Sequence, residues 1–241
     1  MSASAESIWH DVECGSFDAD LALWEELAAR CGGPVLELGC GTGRVALHLA
    51  RRGHEVIGLD ADPELLAELE SRAEGLPLRT LRADARDFDL GGAPVSLVLA
   101  PTHLLQLLPG RRERIECLCR AAAALRPGGL LAASIIEEMP GPDGAPPPLP
   151  DVREVDGWVY SSLAVEAAVG PGEIVVRRLR QLVSPEGALC EEPNEVRIAT
   201  FPAASLEADA AAADLLPAGR REIPPTEIHV GSLVVLLERG P

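Results

Sequence analysis

Lysine is missing altogether. The positive charge is carried by arginine alone: Lys and Arg total 21 against 38 Asp and Glu, a formal net charge of −17 over 241 residues. Without lysine there is no Schiff base with pyridoxal phosphate and no phosphate-loop lysine. A surface this acidic repels nucleic-acid backbones and anionic membranes. Aromatic residues make up only 3%, so the core must be aliphatic. The six cysteines (Cys14, Cys31, Cys40, Cys117, Cys119 and Cys190) include no Cys-x-x-Cys pair. Neither a metal site nor a secreted disulfide framework is expected. No run approaches about 18 apolar residues, so no membrane span is expected. The N-terminal stretch lacks a basic region followed by an apolar core, so no signal peptide is expected. The expected setting is the cytoplasm, with reduced thiols.

What is present is a regular alternation. Hydrophobic residues make up 47%, enough for a real core. Residues 1–17 are poorly periodic. Asp18 or Asp20 can cap a helix to Arg30, with Leu21, Trp24, Leu27 and Ala28 on one face. Continuous apolar runs at 35–38, 55–60, 78–82, 94–100 and 130–136 read as strands covered on both faces. Between them lie helical patterns, including one opened by Asp62-Pro63-Glu64 and one over 111–125. Arg126-Pro127-Gly128-Gly129 reads as a sharp turn. This order predicts an α/β fold: a doubly wound, seven-stranded, mostly parallel sheet with a terminal antiparallel hairpin.

The pattern breaks at 139–150, where glycine and proline dominate and a loop or hinge is expected. Three β-type runs follow, at 158–169, 173–184 and 195–201. Their short separators predict a small antiparallel β insertion after strand five. A helix over 203–215 and strands over 220–223 and 228–237 close the chain. The expected division is an α/β domain from 1–138 and 202–241, with 151–201 as an inserted sheet serving as lid, substrate contact or oligomer contact.

The chemistry centres on 35–44, Val-Leu-Glu-Leu-Gly-Cys-Gly-Thr-Gly-Arg. Alternate glycines between a strand and a helix permit positive φ and let a ligand approach bare backbone. The dinucleotide fingerprint G-x-G-x-x-G/A fails here, because Arg44 stands at its last position. The stretch Glu37-Leu38-Gly39-Cys40-Gly41-Thr42-Gly43 instead resembles the first motif of class I S-adenosylmethionine-dependent methyltransferases, E/D-x-G-x-G-x-G. Asp60 at the end of strand two, Asp84 after strand three, and the L-x-P-G-G-like turn at Leu125–Gly129 extend the resemblance over roughly 8–136. It implies a Rossmann-like fold, S-adenosyl-L-methionine as cofactor, and cofactor contacts from Trp9, Glu37, Gly39, Cys40, Gly41, Gly43, Asp60, Ala61, Asp84, Ala85 and Ala100. Trp9 and His10 would close over the cofactor as a lid, Asp60 would hold the ribose, and Asp84 would hold the adenine amine.

The loop after strand four, 100–106, should face the methyl group. It lacks the Asn/Asp-Pro-Pro-aromatic and Pro-Cys motifs of nucleic-acid methyltransferases. With the acidic surface, this points to a small-molecule substrate and away from nucleic acid and membrane. His103 is the candidate general base or substrate orienter. Thr102, Gln106, Glu137, Trp158 and Tyr160 are the candidate substrate contacts, and His229 is assigned a structural role. The leading reading is methyl transfer to a nitrogen or oxygen of a small molecule, in natural-product or secondary metabolism. A non-methylating cyclisation, elimination or rearrangement on the same cofactor is the second, and a non-catalytic binding protein the third. A homodimer through the inserted sheet is plausible on pattern.

Overall fold

In the computed structural model, residues 3–92, 94–138, 149–226 and 229–241 are described. The apolar run Val35–Leu38 forms β1, buried at every position, because it lies inside the sheet with a parallel strand on either side. Its neighbours are β2 (Val56–Asp60) and β4 (Val95–Ala100). Outside them run β3 (Leu78–Arg82) and β5 (Leu125–Ile135), also parallel. The last strands, β10 (Leu215–Ile223) and β11 (Ser232–Arg239), form an antiparallel hairpin docked on β5. The order is β3-β2-β1-β4-β5-β11-β10, which makes the expected seven-stranded, mostly parallel sheet with an antiparallel terminal hairpin.

Helices cover both faces. They are α1 (Ala5–Cys14), α2 (Leu21–Cys31), α3 (Arg44–Ala50), α4 (Pro63–Arg72), α5 (Leu104–Leu107), α6 (Arg111–Ala124) and α7 (Ala203–Ala210). Two aliphatic cores result. One packs α6 and α7 against the sheet through Leu118, Ala121, Leu206 and Val235. The other packs α2 and α3 through Trp24, Leu27, Val45 and Leu49.

Several boundaries differ from expectation. The poorly periodic N-terminus contains helix α1, whose N-cap Ser4 accepts from the Ser7 N–H. The turn at 126–129 is a wide bulge inside β5: Val95 pairs with Leu125 and Leu97 with Leu130, so four residues are looped out between them. The inserted sheet has four antiparallel strands, β6 (Asp151–Val155), β7 (Trp158–Gly170), β8 (Glu173–Val183) and β9 (Leu189–Ala199). Strand β6 escaped the pattern because it is short and polar, Asp-Val-Arg-Glu-Val. Helix α7 stops early and passes through a 3-10 turn at Ala211–Ala213 into a longer β10. Most of the expected 139–150 loop, and Ile228 of the expected last strand, lie outside the described residues.

Gln106 joins the two sheets. Its amide nitrogen donates to the carbonyls of Ile136 (2.8 Å) and Ala199 (2.6 Å), and its Oε1 accepts from the Ile136 N–H (2.7 Å). At 1% exposure it has no surface to offer a substrate, which corrects its expected binding role. Gln106→Leu leaves three backbone groups without partners and should cost about 3 kcal/mol, since each unsatisfied buried group costs about 1–3 kcal/mol. Urea denaturation measures this; a loss under about 0.5 kcal/mol, the size of an ordinary surface effect, would refute the bracing role.

Among the described residues all six cysteines are free. No described helix is long and apolar enough to cross a membrane.

Candidate functional site

The turn after β1 is built as its glycines require. Gly39, Gly41 and Gly43 have φ of 65°, 52° and 94°, values that a side chain strains to adopt. Space is also closed to side chains: a Cβ on Gly39 would lie 2.8 Å from Leu104 Cδ1, and one on Gly41 2.3 Å from His10 Nε2. Cys40 keeps its backbone in the turn but turns its thiol into an aliphatic pocket with Leu47, Leu66 and Leu69. Burial raises the thiol pKa further, so it is a filler.

Asp60 pins this turn to the end of β2. Its Oδ2 accepts from the Gly41 N–H at 2.8 Å, and its Oδ1 from the Asp62 N–H at 2.9 Å. Ala61 is exposed beside it, while Ala85 and Ala100 are buried at the ends of their segments. Asp84 is held by its neighbour Arg86, whose Nε and Nη2 donate at 2.9 and 2.6 Å. Those side-chain bonds, with one from the Arg86 backbone, lower its pKa to about 2. A carboxylate so held still has a free lone-pair site.

Glu37 lies beneath the turn at 3% exposure. Burial raises its pKa to about 8 against the opposing pull of Arg44, so it is mostly protonated at neutral pH. Its Oε2 has no hydrogen-bond partner. An orphaned acceptor under a bare-backbone cradle suits a cationic, phosphate-free ligand such as S-adenosylmethionine.

Arg44, the residue that breaks the dinucleotide fingerprint, is an anchor. Its two terminal nitrogens grip Asp20 at 2.5 and 2.7 Å. It also donates to the Phe17 carbonyl (2.8 Å) and Thr102 Oγ1 (3.2 Å). Asp20 sits at the start of α2, but its side chain makes no capping bond, because Arg44 and Trp24 Nε1 (2.7 Å) occupy it.

Of the two expected lid residues, only His10 faces the glycine turn. Trp9 is 6% exposed and faces the inserted sheet, with Tyr160 edge-on at 5.0 Å and Arg180 over its ring at 5.1 Å. Neighbouring side chains on a helix diverge by about 100°, so His10 points the other way, onto Gly41. Its Nδ1 is 3.1 Å from Thr42 Oγ1, and burial lowers its pKa. Helix α1 is held in place by Asp11, which accepts from Thr42 (2.6 Å), Arg72 (2.6 Å) and Arg153 (2.5 Å). Glu13 binds Arg180 and Ser162 on the inserted sheet. Tyr160 therefore locks α1 to that sheet and is not free for substrate. Trp158 is 39% exposed at the far end of the β6–β7 ribbon, about 13 Å along the strand from Asp151 at about 3.3 Å per residue.

The loop after β4 is the strained part of the site. Thr102 and His103 have φ of 51° and 62°, a costly pair for non-glycine residues. His103 stands at the start of α5 without capping it. Burial drops its pKa to about 4 despite a backbone hydrogen bond with Ser134, so the ring is neutral at physiological pH. Its Nδ1 is buried and has no partner. Glu137 Oε1 accepts from the Ala203 N–H at 2.6 Å, capping α7. It also lines a cleft of about 570 Å³ with Glu138, Gly172, Thr200, Phe201 and Pro202.

The structure thus brings Glu37, the three glycines, Asp60, Thr102 and His103 together at one edge of the sheet. Sequence reasoning missed Thr42 and Arg44 as parts of that edge, and it named His10 only as a lid beside Trp9.

Comparison with known proteins agrees with this geometry. A family model described as a methyltransferase domain matches residues 35–129. An uncharacterized methyltransferase of Mycobacterium tuberculosis is 33% identical over 116 residues, covering 48% of this chain and 55% of the relative. A probable S-adenosylmethionine-dependent methyltransferase of Mycolicibacterium smegmatis is 28% identical over 218 residues, 83% of this chain and 81% of the relative. The chain spans about half the length of the first curated relatives it matches. Among solved structures, the S-adenosylmethionine-bound amino pentose methyltransferase of Micromonospora echinaspora superposes with a TM-score of 0.71 at 19% identity, covering 99% of this chain and 98% of that one. That last likeness is one of fold.

Proposed function

We propose that this chain is a class I, S-adenosylmethionine-dependent methyltransferase that transfers a methyl group to a nitrogen or oxygen of a small molecule; the methyltransferase-domain match over residues 35–129 supports the reading. The observation that carries the reading is the cradle itself: three positive-φ glycines over the orphaned Glu37 Oε2, tied by Gly41 to Asp60. Bound there, S-adenosylmethionine supplies an electrophilic methyl on a sulfonium, which a nucleophile attacks in line.

The chain's residues supply the rest. Asp60 accepts from the ribose, Asp84 from the adenine amine, and Glu37 faces the cationic amino-acid end. Helix α1 and His10 shut water from the glycine turn. His103 orients the nucleophile: a ring with pKa about 4 is a weak base at neutral pH, whereas its bare Nδ1 is a good acceptor. Holding the reactants in line and dry provides much of the acceleration. The acidic surface, the absence of nucleic-acid motifs after β4 and the amino pentose activity in the name of one similar structure support a small molecule over nucleic acid. A natural-product role, a cytoplasmic setting, the division into 1–138 with 202–241 and 151–201, and a homodimer through the inserted sheet belong to the same reading.

Calorimetry with S-adenosylhomocysteine tests it. Placing a cation beside Glu37 favours its carboxylate, so binding at pH 7 should release up to about one proton, and affinity should rise from pH 6 to pH 8. Identical binding enthalpies in buffers of different ionisation enthalpy would remove Glu37 from the cofactor site. Binding of NAD in place of S-adenosylhomocysteine would overturn the cofactor assignment, and conversion of a substrate without consumption of S-adenosylmethionine would overturn methyl transfer.

A further inference from the structure

The ion pairs that hold this fold join distant segments: Arg44 reaches Asp20 across 24 residues, and Arg72 reaches Asp11 across 61. The pair Asp84–Arg86 does not. Its members are two residues apart, and their side chains are 43% and 36% exposed. It ties no segment to another, and an exposed bridge adds little stability. Yet it is tightly built. Asp84 Oδ1 accepts from the Arg86 backbone N–H at 2.8 Å and from its Nε at 2.9 Å, and Oδ2 accepts from its Nη2 at 2.6 Å.

A carboxylate has about four acceptor sites, two on each oxygen. Arg86 fills both on Oδ1 and one on Oδ2. Among the described residues no other group donates to this carboxylate, so one site remains open, on Oδ2. The segment that carries the pair is fixed on both sides. The Ala83 N–H donates to the Asp60 carbonyl at 3.0 Å, which seats Asp84 beside the end of β2, where Asp60 meets the glycine turn. The Asp87 N–H donates to the Asp84 carbonyl at 2.9 Å, and the Asp87 side chain accepts from Arg120 of α6 at 2.7 Å.

We propose that Arg86 is the positioning residue that makes the adenine contact selective: its fork fixes the plane of the Asp84 carboxylate and leaves a single acceptor site, which takes one N–H of a 6-amino purine and rejects a 6-oxo purine. The inference rests on the cofactor reading above, in which Asp84 accepts from the adenine amine. A carboxylate free to turn can follow whichever N–H a base presents, the amine of adenine or the ring N–H of hypoxanthine. One gripped through two nitrogens cannot turn. Hypoxanthine then sets a carbonyl oxygen against the open lone pair of Oδ2, and its ring N–H lies to one side of that lone pair.

Calorimetry with S-adenosylhomocysteine and S-inosylhomocysteine tests this, because the two ligands differ only at the base. The wild-type protein should prefer the adenosyl compound by about a hundredfold, the effect of one lost hydrogen bond to a charged group. In Arg86→Ala the preference should fall below about tenfold, since the released carboxylate adapts to either base. Arg86→Lys should behave alike, because an ammonium keeps the charge but not the fork. Equal weakening of both ligands in Arg86→Ala, with the preference unchanged, would make the pair a structural latch and overturn the proposal. An Arg86→Lys variant with full wild-type preference would overturn it too, by showing that charge alone suffices. If Asp84→Ala keeps the wild-type preference, the adenine lies elsewhere and the proposal falls. Failure of the wild-type protein to bind S-adenosylhomocysteine would sink the methyltransferase reading and this inference with it. Tight binding with a preference indifferent to Arg86 would sink this inference alone.

Discussion

Arg44→Ala is expected to cost about 3–5 kcal/mol of folding stability, the usual penalty for removing one partner of a buried ion pair. Asp20 is 1% exposed and the Arg44 side chain 10%, so water cannot replace the guanidinium. Without it the Asp20 carboxylate keeps one side-chain donor, Trp24 Nε1. The Phe17 carbonyl and Thr102 Oγ1 lose a donor as well. Arg44→Lys should recover only part of the loss, since an ammonium cannot reproduce the two-pronged grip. Converting both partners, Asp20→Asn with Arg44→Leu, should be milder than Arg44→Ala because no charge is left buried. Chemical denaturation of the variants decides this. A loss below about 1 kcal/mol in Arg44→Ala would place the pair among ordinary surface bridges.

Asp60→Ala carries the second large effect, on affinity rather than folding. The carboxylate sits where β2 meets the glycine turn and holds the Gly41 N–H. In the proposed site it also accepts from two ribose hydroxyls. Hydrogen bonds to a charged group contribute about 1.5–3 kcal/mol each, so S-adenosylhomocysteine should bind on the order of a hundredfold more weakly or worse. Asp60→Asn keeps one acceptor oxygen and should fall between the two. An unchanged dissociation constant in Asp60→Ala would place the ribose elsewhere. Arg44→Ala unsettles the fold as well as the turn, so Asp60→Ala is the cleaner probe of the cofactor.

The two residues illustrate what was legible. Asp60 announced itself through spacing: an acid closing the second apolar run, 19 residues after Gly41. Arg44 showed only as a misfit to one fingerprint. Its partner Asp20 lies 24 residues back and read as a helix cap. Trp9 and His10 make the same point at closer range. Both are sequence neighbours in a plausible lid, and only the helix decides which one faces Gly41. Gln106 read as a substrate contact until its three backbone partners, 30 and 93 residues away, appeared.

From sequence alone came the sheet, the glycine turn and the acids that follow it. These depend on apolar period, on turn residues and on spacing within a strand–turn–helix unit, all properties of short segments. Tertiary structure decided which side chains are spent on the fold and which remain free. It tied up Gln106 and Tyr160, and it left Glu37, His103 and His229 with bare atoms. A side chain's partners are set by how distant segments pack and which atoms water can still reach, and neither is written in the spacing along one segment.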